Sequence, residues 1–430
     1  MKFYSTKRQS EAVSFEEAVK KGLPPDNGLY WPEYIPRLGQ EFFDRLSSFS
    51  LQELAHRVLS AYIEKEIPEE NLIEIVEDTF CFEIPLKQVH EHIHTLELFH
   101  GPTLAFKDVG ARFMSRCLNY FLRNDDEEIT ILTATSGDTG SAVVNACYGI
   151  EEIQVVVLYP DGHVSRVQEQ QMTTLGGNIT ALKVKGTFDD CQRLVKSAFL
   201  DAELKQSLRL TSANSINIAR LLPQSIYYYW AMAQLGKQDA PITVSVPSGN
   251  YGNLTAGLLA KASGLPIDHF VASSNANDIV PQYLWTGGFN PKDSVRTISN
   301  AMDVGNPSNF QRMLELCGNE HSKMTKDITG KSYSDAATKA AIREVYEQTQ
   351  YIMDPHGAVG YLGLKDYLTE NAGIRIFLET AHYGKFMDVV EDSLNQKLDL
   401  PEPLRAAMDK ENLSIPVSSD FREFKEILMS

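Results

Sequence analysis

The chain has 430 residues, 43% of them hydrophobic and 23% charged, so it can bury a substantial core and is not disordered as a whole. Its 40 Lys and Arg residues against 57 Asp and Glu residues give a formal net charge of −17, which opposes binding to nucleic acid or to an anionic membrane surface. No apolar run reaches the length of about 20 residues that a bilayer crossing needs, and the first residues carry no apolar signal core, so we expect a cytoplasmic protein.

The first 97 residues have a mostly helical pattern. Ser14 to Ala18 has the spacing of a capping box, and Leu51 to Glu64 has the apolar repeat of an amphipathic helix. We therefore predict a separate, mainly helical N-terminal domain over residues 1–97.

After about residue 93, apolar runs alternate with turns and helical stretches, which is typical of an α/β fold. The predicted strands are Ile129 to Ala134, Ile153 to Leu158, Thr180 to Val184, Leu208 to Ser212, Ile242 to Val246, His269 to Ser273 and Ile374 to Glu379. The predicted helices include Gly140 to Tyr148, Asp189 to Phe199, Ile218 to Leu235, Leu254 to Ala262 and Asp335 to Gln350. Continuous apolar strands of this length predict mostly parallel sheets that are covered on both faces.

Two predicted strands end in glycine-containing turns that lead directly into a helix, at Thr135 to Gly140 and at Ser248 to Asn253. The free backbone N–H groups at a helix start favour phosphate or carboxylate, although either turn alone could be an ordinary strand-to-helix connection. Neither turn has the glycine spacing of a dinucleotide or nucleoside triphosphate site. The two turns therefore favour a smaller phosphorylated ligand or cofactor at one turn and a substrate that carries an acid group at the other.

Lys107 follows the segment Gly101 to Phe106 and precedes a helical pattern that opens at Val109. Its apolar neighbours could remove water from the amine, which disfavours the ammonium form and suits a lysine that forms a Schiff base. A surface lysine in the first turn of a helix has the same local pattern, and composition does not decide between the two.

Two further patterns are expected to be structural. The five cysteines contain no Cys-x-x-Cys pair and are interpreted as reduced core thiols. His90, His92 and His94 alternate, which on a single strand would place three imidazoles on one face, as in a metal site. Because the segment is polar and structural metal sites usually add Cys or carboxylate ligands, we favour a solvated edge or loop and expect no metal.

Several motifs, in this order and at this separation, resemble the threonine synthases, which are pyridoxal 5'-phosphate (PLP) enzymes of fold type II. The motifs are Tyr4 to Lys7, Gly28 to Pro32, Gly101 to Asp108, Thr135 to Ala142, Gln168 to Met172, Gly186 to Asp190, Asn214 to Asn217, Pro247 to Asn253, Gly305 to Asn309 and Glu379 to His382. The resemblance covers most of the chain. It implies an α/β fold like that of the tryptophan synthase β subunit, with a large domain over residues 98–124 and 236–430 and a small domain over 125–235.

The resemblance also implies a cofactor site. Lys107 would form the Schiff base with PLP, Asp138 would lie beside the ring hydroxyl, where many relatives carry Asn, and Thr380 would meet the pyridine nitrogen. The cofactor phosphate would be held by Gly249, Asn250, Tyr251, Gly252 and Asn253.

The implied substrate is O-phospho-L-homoserine, which would be converted with water to L-threonine and phosphate in the last step of threonine biosynthesis. Its carboxylate would be held by Ser136, Gly137 and Thr139. Its phosphate would be held by Asn214, Ser215, Arg220 and Asn253, with Arg220 supplying a planar fork of donors. We expect a monomer or homodimer that binds this small molecule.

Two alternatives stay open. A related fold type II lyase would deaminate threonine or serine, or would release 2-oxobutanoate from the same phosphorylated substrate. A non-catalytic binding module would retain the fold without the chemistry. The phosphate-clamp residues, which a dehydratase acting on an uncharged hydroxyl does not need, favour the synthase, and the retained Lys107 disfavours the binding module.

Overall fold

The computed structural model describes residues 1–63, 65–123, 128–367 and 373–430. The N-terminal part holds two short antiparallel strands and four helices. These are β1 (Phe3–Ser5), α1 (Phe15–Lys21), β2 (Tyr30–Pro32), α2 (Gln40–Asp44), α3 (Leu51–Ile63) and α4 (Glu69–Thr79). The Ser14 side chain accepts a hydrogen bond from Glu17 N and caps α1, as its sequence pattern predicts. The predicted end of α3 at Glu64 lies outside the described residues.

The histidine segment forms a hairpin rather than one strand. It consists of β3 (Leu86–His90) and β4 (Ile93–Glu97), which pair antiparallel. His92 lies in the turn between them with φ 61°, so the three imidazoles do not share one strand face. Within the described residues no group of three His, Cys, Asp or Glu side chains could hold a metal ion.

The middle of the chain builds most of a five-stranded parallel sheet. Its elements are α5 (Lys107–Leu122), β5 (Ile129–Ala134), α6 (Asp138–Cys147), β6 (Ile153–Pro160), α7 (Arg166–Thr173), β7 (Ile179–Lys185), α8 (Phe188–Leu200), α9 (Ala202–Ser207), β8 (Arg209–Ser212), α10 (Ile218–Leu221) and α11 (Ser225–Leu235). All six residues of β5 are buried, as expected for a strand covered on both faces.

The remaining elements complete both sheets. They are β9 (Ile242–Pro247), α12 (Gly252–Ala262), β10 (His269–Ser274), α13 (Ile279–Thr286), α14 (Phe310–Leu316), α15 (His321–Asp327), β11 (Ile328–Ser332), α16 (Asp335–Thr349), α17 (Pro355–Tyr367), β12 (Ile374–Glu379), α18 (Met387–Leu394), α19 (Glu402–Met408), β13 (Ile415–Ser418) and α20 (Phe421–Met429). Short 3-10 turns lie at Leu46–Ser48, Leu222–Gln224, Asn300–Met302 and Tyr383–Phe386.

The strand order is β11-β10-β9-β12-β4-β3 in the larger sheet and β13-β7-β6-β5-β8 in the smaller one. Only β3 runs antiparallel to its neighbour in these two sheets, as far as the described residues show. The predicted α/β fold with mostly parallel sheets is therefore confirmed, and β5 and β12 have their predicted bounds.

Three strands pair in a sheet that does not match the domain predicted for them. β3 and β4 fall in the predicted N-terminal domain but belong to the larger sheet, and β13 falls in the predicted large domain but pairs with β7. The predicted boundary at 124–125 lies outside the described residues. Within the described part of the chain no helix is long and apolar enough to cross a bilayer.

The cysteines differ in their environments. Cys117, Cys147 and Cys191 are buried free thiols, whereas Cys81 is exposed and Cys317 is half-buried. The interpretation as core thiols is wrong for Cys81, which lies just after α4, where the chain leaves the helical layer.

Candidate active site

A cavity of about 690 Å³ is lined by the segments that follow β5, β8, β9 and β12. The carboxyl ends of parallel strands are where α/β folds bind their ligands. The sequence-predicted residues that line it are Lys107, Ser136, Asp138, Thr139, Asn214, Ser215, Arg220, Gly249, Asn250, Tyr251, Gly252, Asn253 and Thr380. Gly137 is not among its lining residues.

Lys107 is the first residue of α5, and 14% of its side chain is exposed. Burial lowers the pKa of its ammonium group to about 8. Asp138 opposes this shift in pKa, whereas the positive charges of Lys385 and Arg220 reinforce it. The neutral, nucleophilic amine is therefore accessible near neutral pH, in contrast to that of a surface lysine.

Asp138 begins α6 and is held as a carboxylate. Its Oδ1 accepts hydrogen bonds from Lys385 Nζ at 2.7 Å and from Gln168 Nε2 at 2.9 Å, and its Oδ2 lies 4.0 Å from Lys107 Nζ. Burial alone would raise the pKa of this carboxyl group, but the charges of Lys385 and Lys107 outweigh burial and lower it below its usual value. Asp138 therefore accepts hydrogen bonds in the neutral pH range and does not donate them.

The turn from Ser248 to Asn253 opens α12. Tyr251 adopts a left-handed conformation with φ 60°, and the helix begins at Gly252. Its first N–H groups have no partners within the helix, so the turn is suited to an anion. Asn250 fixes the turn, because its Nδ2 donates to Ser215 Oγ at 2.5 Å and its Oδ1 accepts from Ser308 N at 2.6 Å.

Gly249 lies against the backbone of a neighbouring segment. A Cβ atom at this position would be 2.5 Å from Met302 Cα and 2.9 Å from its carbonyl oxygen. We expect Gly249→Ala to lower the free energy of unfolding by about 1–3 kcal/mol, since two backbones must separate. Chemical denaturation of Gly249→Ala measures this loss.

Gly39→Ala is the matched control for that substitution, because a Cβ at Gly39 meets nothing within 4 Å and Gly39 has φ −71°. Because Gly39 is the N-cap of α2, where alanine is less favourable than glycine, we expect Gly39→Ala to lower the free energy of unfolding by less than about 1 kcal/mol. Equal stability of Gly249→Ala and Gly39→Ala would contradict the close approach at the turn.

Arg220 lies on α10 and is only 2% exposed. Its Nη1 donates to Ala213 O at 2.5 Å, whereas its Nε has no acceptor among the described residues. Burial lowers the pKa of the guanidinium group to about 10, so the group stays charged at neutral pH. Within the described chain no carboxylate forms an ion pair with it. Asp108 acts on the guanidinium group electrostatically and raises its pKa, but without a close ion pair, so the site is suited to an anionic ligand.

Asn253 has a second donor without a partner. Its Oδ1 accepts from Tyr228 OH at 2.8 Å, which fixes the orientation of the amide. Its Nδ2 is buried and finds no acceptor among the described residues. Arg220 and Asn253 both line the cavity, and each has a buried nitrogen that finds no acceptor among the described residues.

The start of α6 contributes the donors of the other predicted anion site. Gly137 has φ 133°, a conformation that favours glycine, and its N–H donates to Thr135 Oγ1 at 2.9 Å. Its amide is therefore already used within the turn. Ser136 and Thr139 are half-buried and line the cavity.

Thr380 follows the last residue of β12 and is 6% exposed. Its carbonyl accepts from Phe106 N at 2.8 Å, and Ala381 bridges to Ala105. These contacts bind the end of β12 to the residues directly before Lys107.

Sequence reasoning missed several residues at the site. Lys385 contacts Asp138, and Lys21, Met302, Asp303 and His356 also line the cavity. For His356 the sequence carries a local signal, because Asp354 and Pro355 precede it at the start of a helix. In the structure Asp354 Oδ1 lies 2.5 Å from His356 Nδ1. The sequence around Lys385 carries no comparable signal.

Three family models match consecutive parts of the chain. Threonine synthase N terminus matches residues 2–80, pyridoxal-phosphate dependent enzyme matches residues 82–375, and threonine synthase, C-terminal, matches residues 357–428.

Individual proteins match over the full length. Threonine synthase of Haemophilus influenzae is 48% identical over 434 residues, with 100% of both chains covered. The crystal structure of threonine synthase from Escherichia coli superposes with a TM-score of 0.94 at 45% identity, covering 100% of this chain and 99% of that one. The X-ray structure of PLP-bound threonine synthase from Brucella melitensis gives a TM-score of 0.93 at 33% identity, covering 100% and 98%.

Proposed function

The chain belongs to the threonine synthase family of pyridoxal-phosphate-dependent enzymes, and from this we propose that it converts O-phospho-L-homoserine and water to L-threonine and phosphate. It is a PLP-dependent lyase of fold type II.

The residues of the cavity fit the cofactor. Lys107 offers a buried amine with a lowered pKa, and the first turn of α12 offers N–H donors for a phosphate. When bound, pyridoxal phosphate supplies an electron sink that stabilises negative charge on the substrate carbon atoms. Asp138 would accept from the ring hydroxyl, and Thr380 would meet the ring nitrogen.

Lys107 would also transfer protons. Loss of the γ-phosphate and addition of water at Cβ require protons to leave Cα and Cβ of the substrate and to be added at Cγ and Cα, while Cβ receives the hydroxyl group of the water. A pKa of about 8 lets Lys107 Nζ act as a base and then as an acid at neutral pH. Its position at the start of α5, on a turn braced by β12, holds the nitrogen in place during both steps.

The substrate phosphate is assigned to Arg220 and Asn253, together with Asn214 and Ser215. One observation carries this assignment: the buried Arg220 guanidinium has no carboxylate partner among the described residues. A dianionic phosphate would supply the missing charge and accept from the unpaired Asn253 Nδ2.

The substrate carboxylate is assigned to the turn at the start of α6. Ser136 and Thr139 line the cavity there, and the first turn of the helix presents its N–H groups. Since Gly137 N already donates to Thr135, we propose that Gly137 shapes this turn and does not contact the substrate.

Product analysis tests the proposal. The PLP-loaded enzyme is incubated with O-phospho-L-homoserine, and the organic product is identified while phosphate release is measured. We expect threonine and phosphate in equal amounts. Formation of 2-oxobutanoate would instead indicate the related lyase, and the absence of any product would contradict catalysis on this substrate.

A further inference from the structure

Lys385 is a lysine whose side chain is fully buried, with 0% exposed. Lysine is rarely buried in this way unless its charge is paired. Its Nζ lies 2.7 Å from Asp138 Oδ1 and donates to Thr103 O at 2.9 Å. Both partners lie close to Lys107, in space or in the chain, whereas Lys385 itself is not among the residues that line the cavity.

These contacts connect the two halves of the site. Asp138 starts α6 of the smaller sheet, whereas Lys385 lies in the 3-10 turn Tyr383–Phe386 that follows β12 of the larger sheet. Thr103 belongs to the turn before Lys107, and its N and Oγ1 donate to the Asp108 carboxylate at 2.9 and 2.5 Å. A single ammonium group thus braces both the acid and the turn that carries Lys107.

The charged groups around this contact come from four parts of the chain. α5 contributes Lys107 and Asp108, α6 contributes Asp138, α10 contributes Arg220, and the turn after β12 contributes His382 and Lys385. Asp138 shares its two oxygens between the lysines: Oδ1 receives Lys385 and Oδ2 faces Lys107.

We propose that Lys385 is a positioning residue that keeps Asp138 ionised and turned toward Lys107. The charges of Lys385 and Asp138 then cancel, so that this pair is neutral overall beside the bound cofactor. The inference rests on the proposed cofactor bond at Lys107. If Asp138 alone became neutral, the positive charge of Lys385 would remain in the buried site and would disfavour a proton on the Lys107 nitrogen. If both became neutral, the local charge would match that of the intact pair.

The test uses the visible absorption of the PLP-loaded enzyme, without substrate, as a function of pH. The quantity compared is the pH at which half of the pH-dependent change in visible absorption has occurred, called the midpoint. In Asp138→Asn we expect this midpoint to move to lower pH by about one unit or more. In the double variant Asp138→Asn, Lys385→Met we expect the midpoint to return at least halfway toward its original value. The matched control adds Lys365→Met to Asp138→Asn; Lys365 is an exposed surface lysine paired with Glu344, so we expect no return.

The inference is overturned if the midpoint of the double variant equals that of Asp138→Asn. The charge of Lys385 would then have no effect on the protonation of the Lys107 nitrogen. An unmodified enzyme without any absorption of lysine-bound cofactor would instead contradict the proposed role of Lys107. The two failures are therefore distinguishable.

Should Asp138→Asn give no folded protein, the double variant is compared with Lys385→Met. The single variant leaves a buried carboxylate without its main partner, so we expect it to unfold at lower denaturant than the double variant at pH 8. Because an unpaired buried acid has a raised pKa, this difference should shrink as the pH falls and the acid takes up a proton. Equal stability at pH 8 would overturn the inference.

Discussion

Replacing Lys107 by alanine is expected to reduce turnover by about 1,000-fold or more and to abolish the visible absorption of lysine-bound cofactor. General acid–base catalysis alone contributes roughly 100- to 10,000-fold, and the amine is also the proposed anchor of the cofactor. Absorption spectra and steady-state assays of phosphate release measure the two effects separately.

Lys365→Ala is the control, because this lysine is exposed and pairs with Glu344 at the surface. We expect its spectrum and activity to be unchanged. Lys385 is not expected to replace Lys107, since its ammonium group is engaged by Asp138 and by Thr103 O. Normal turnover of Lys107→Ala would therefore contradict the assignment of the catalytic amine.

The sequence predicted the features of the site that depend on local pattern. The strands before Thr135, Ser248 and Thr380 are continuous apolar runs, and their parallel arrangement brings the turns that follow them to one cavity. For Lys107 the apolar neighbours leave a desolvated amine and a surface lysine both open, and the resemblance to the threonine synthases favours the former; in the structure burial lowers its pKa to about 8. Local pattern was therefore sufficient for the strands and turns but not for Lys107.

Features that depend on contacts between distant segments were not predictable in this way. Lys385 and Asp138 are far apart in the chain and meet only in the fold, where the start of α6 lies beside the turn after β12. Arg220 is buried because α10 packs against α5. The residues around Arg220 in the sequence do not indicate this packing, so its burial was not predictable. The sequence favours an edge or loop around His92, and β3 is an edge strand that ends in the turn at His92. The pairing of β3 with β4 as a hairpin was not predicted, because the alternation of the histidines looks like one continuous strand.

Arg220→Met is expected to lower kcat/KM for O-phospho-L-homoserine by about 10- to 100-fold. Hydrogen bonds to a charged group contribute about 1.5–3 kcal/mol, and each 1.4 kcal/mol corresponds to a factor of about 10. Because the guanidinium forms no ion pair within the described chain, replacing it by an apolar side chain leaves no carboxylate unpaired, and only the carbonyl of Ala213 loses its donor. We therefore expect the free energy of unfolding to fall by no more than about 1–3 kcal/mol. The cofactor absorption should persist.

Inhibition by inorganic phosphate separates binding from folding in this variant. We expect the inhibition constant to rise with the loss of kcat/KM in Arg220→Met, and to rise less in Arg220→Lys, which keeps the charge but loses the planar fork. Arg405→Met, at an arginine that is 58% exposed, should leave both quantities unchanged. If Arg220→Met lost activity while phosphate inhibited it as before, Arg220 would act through the packing of α10 and not through the substrate phosphate.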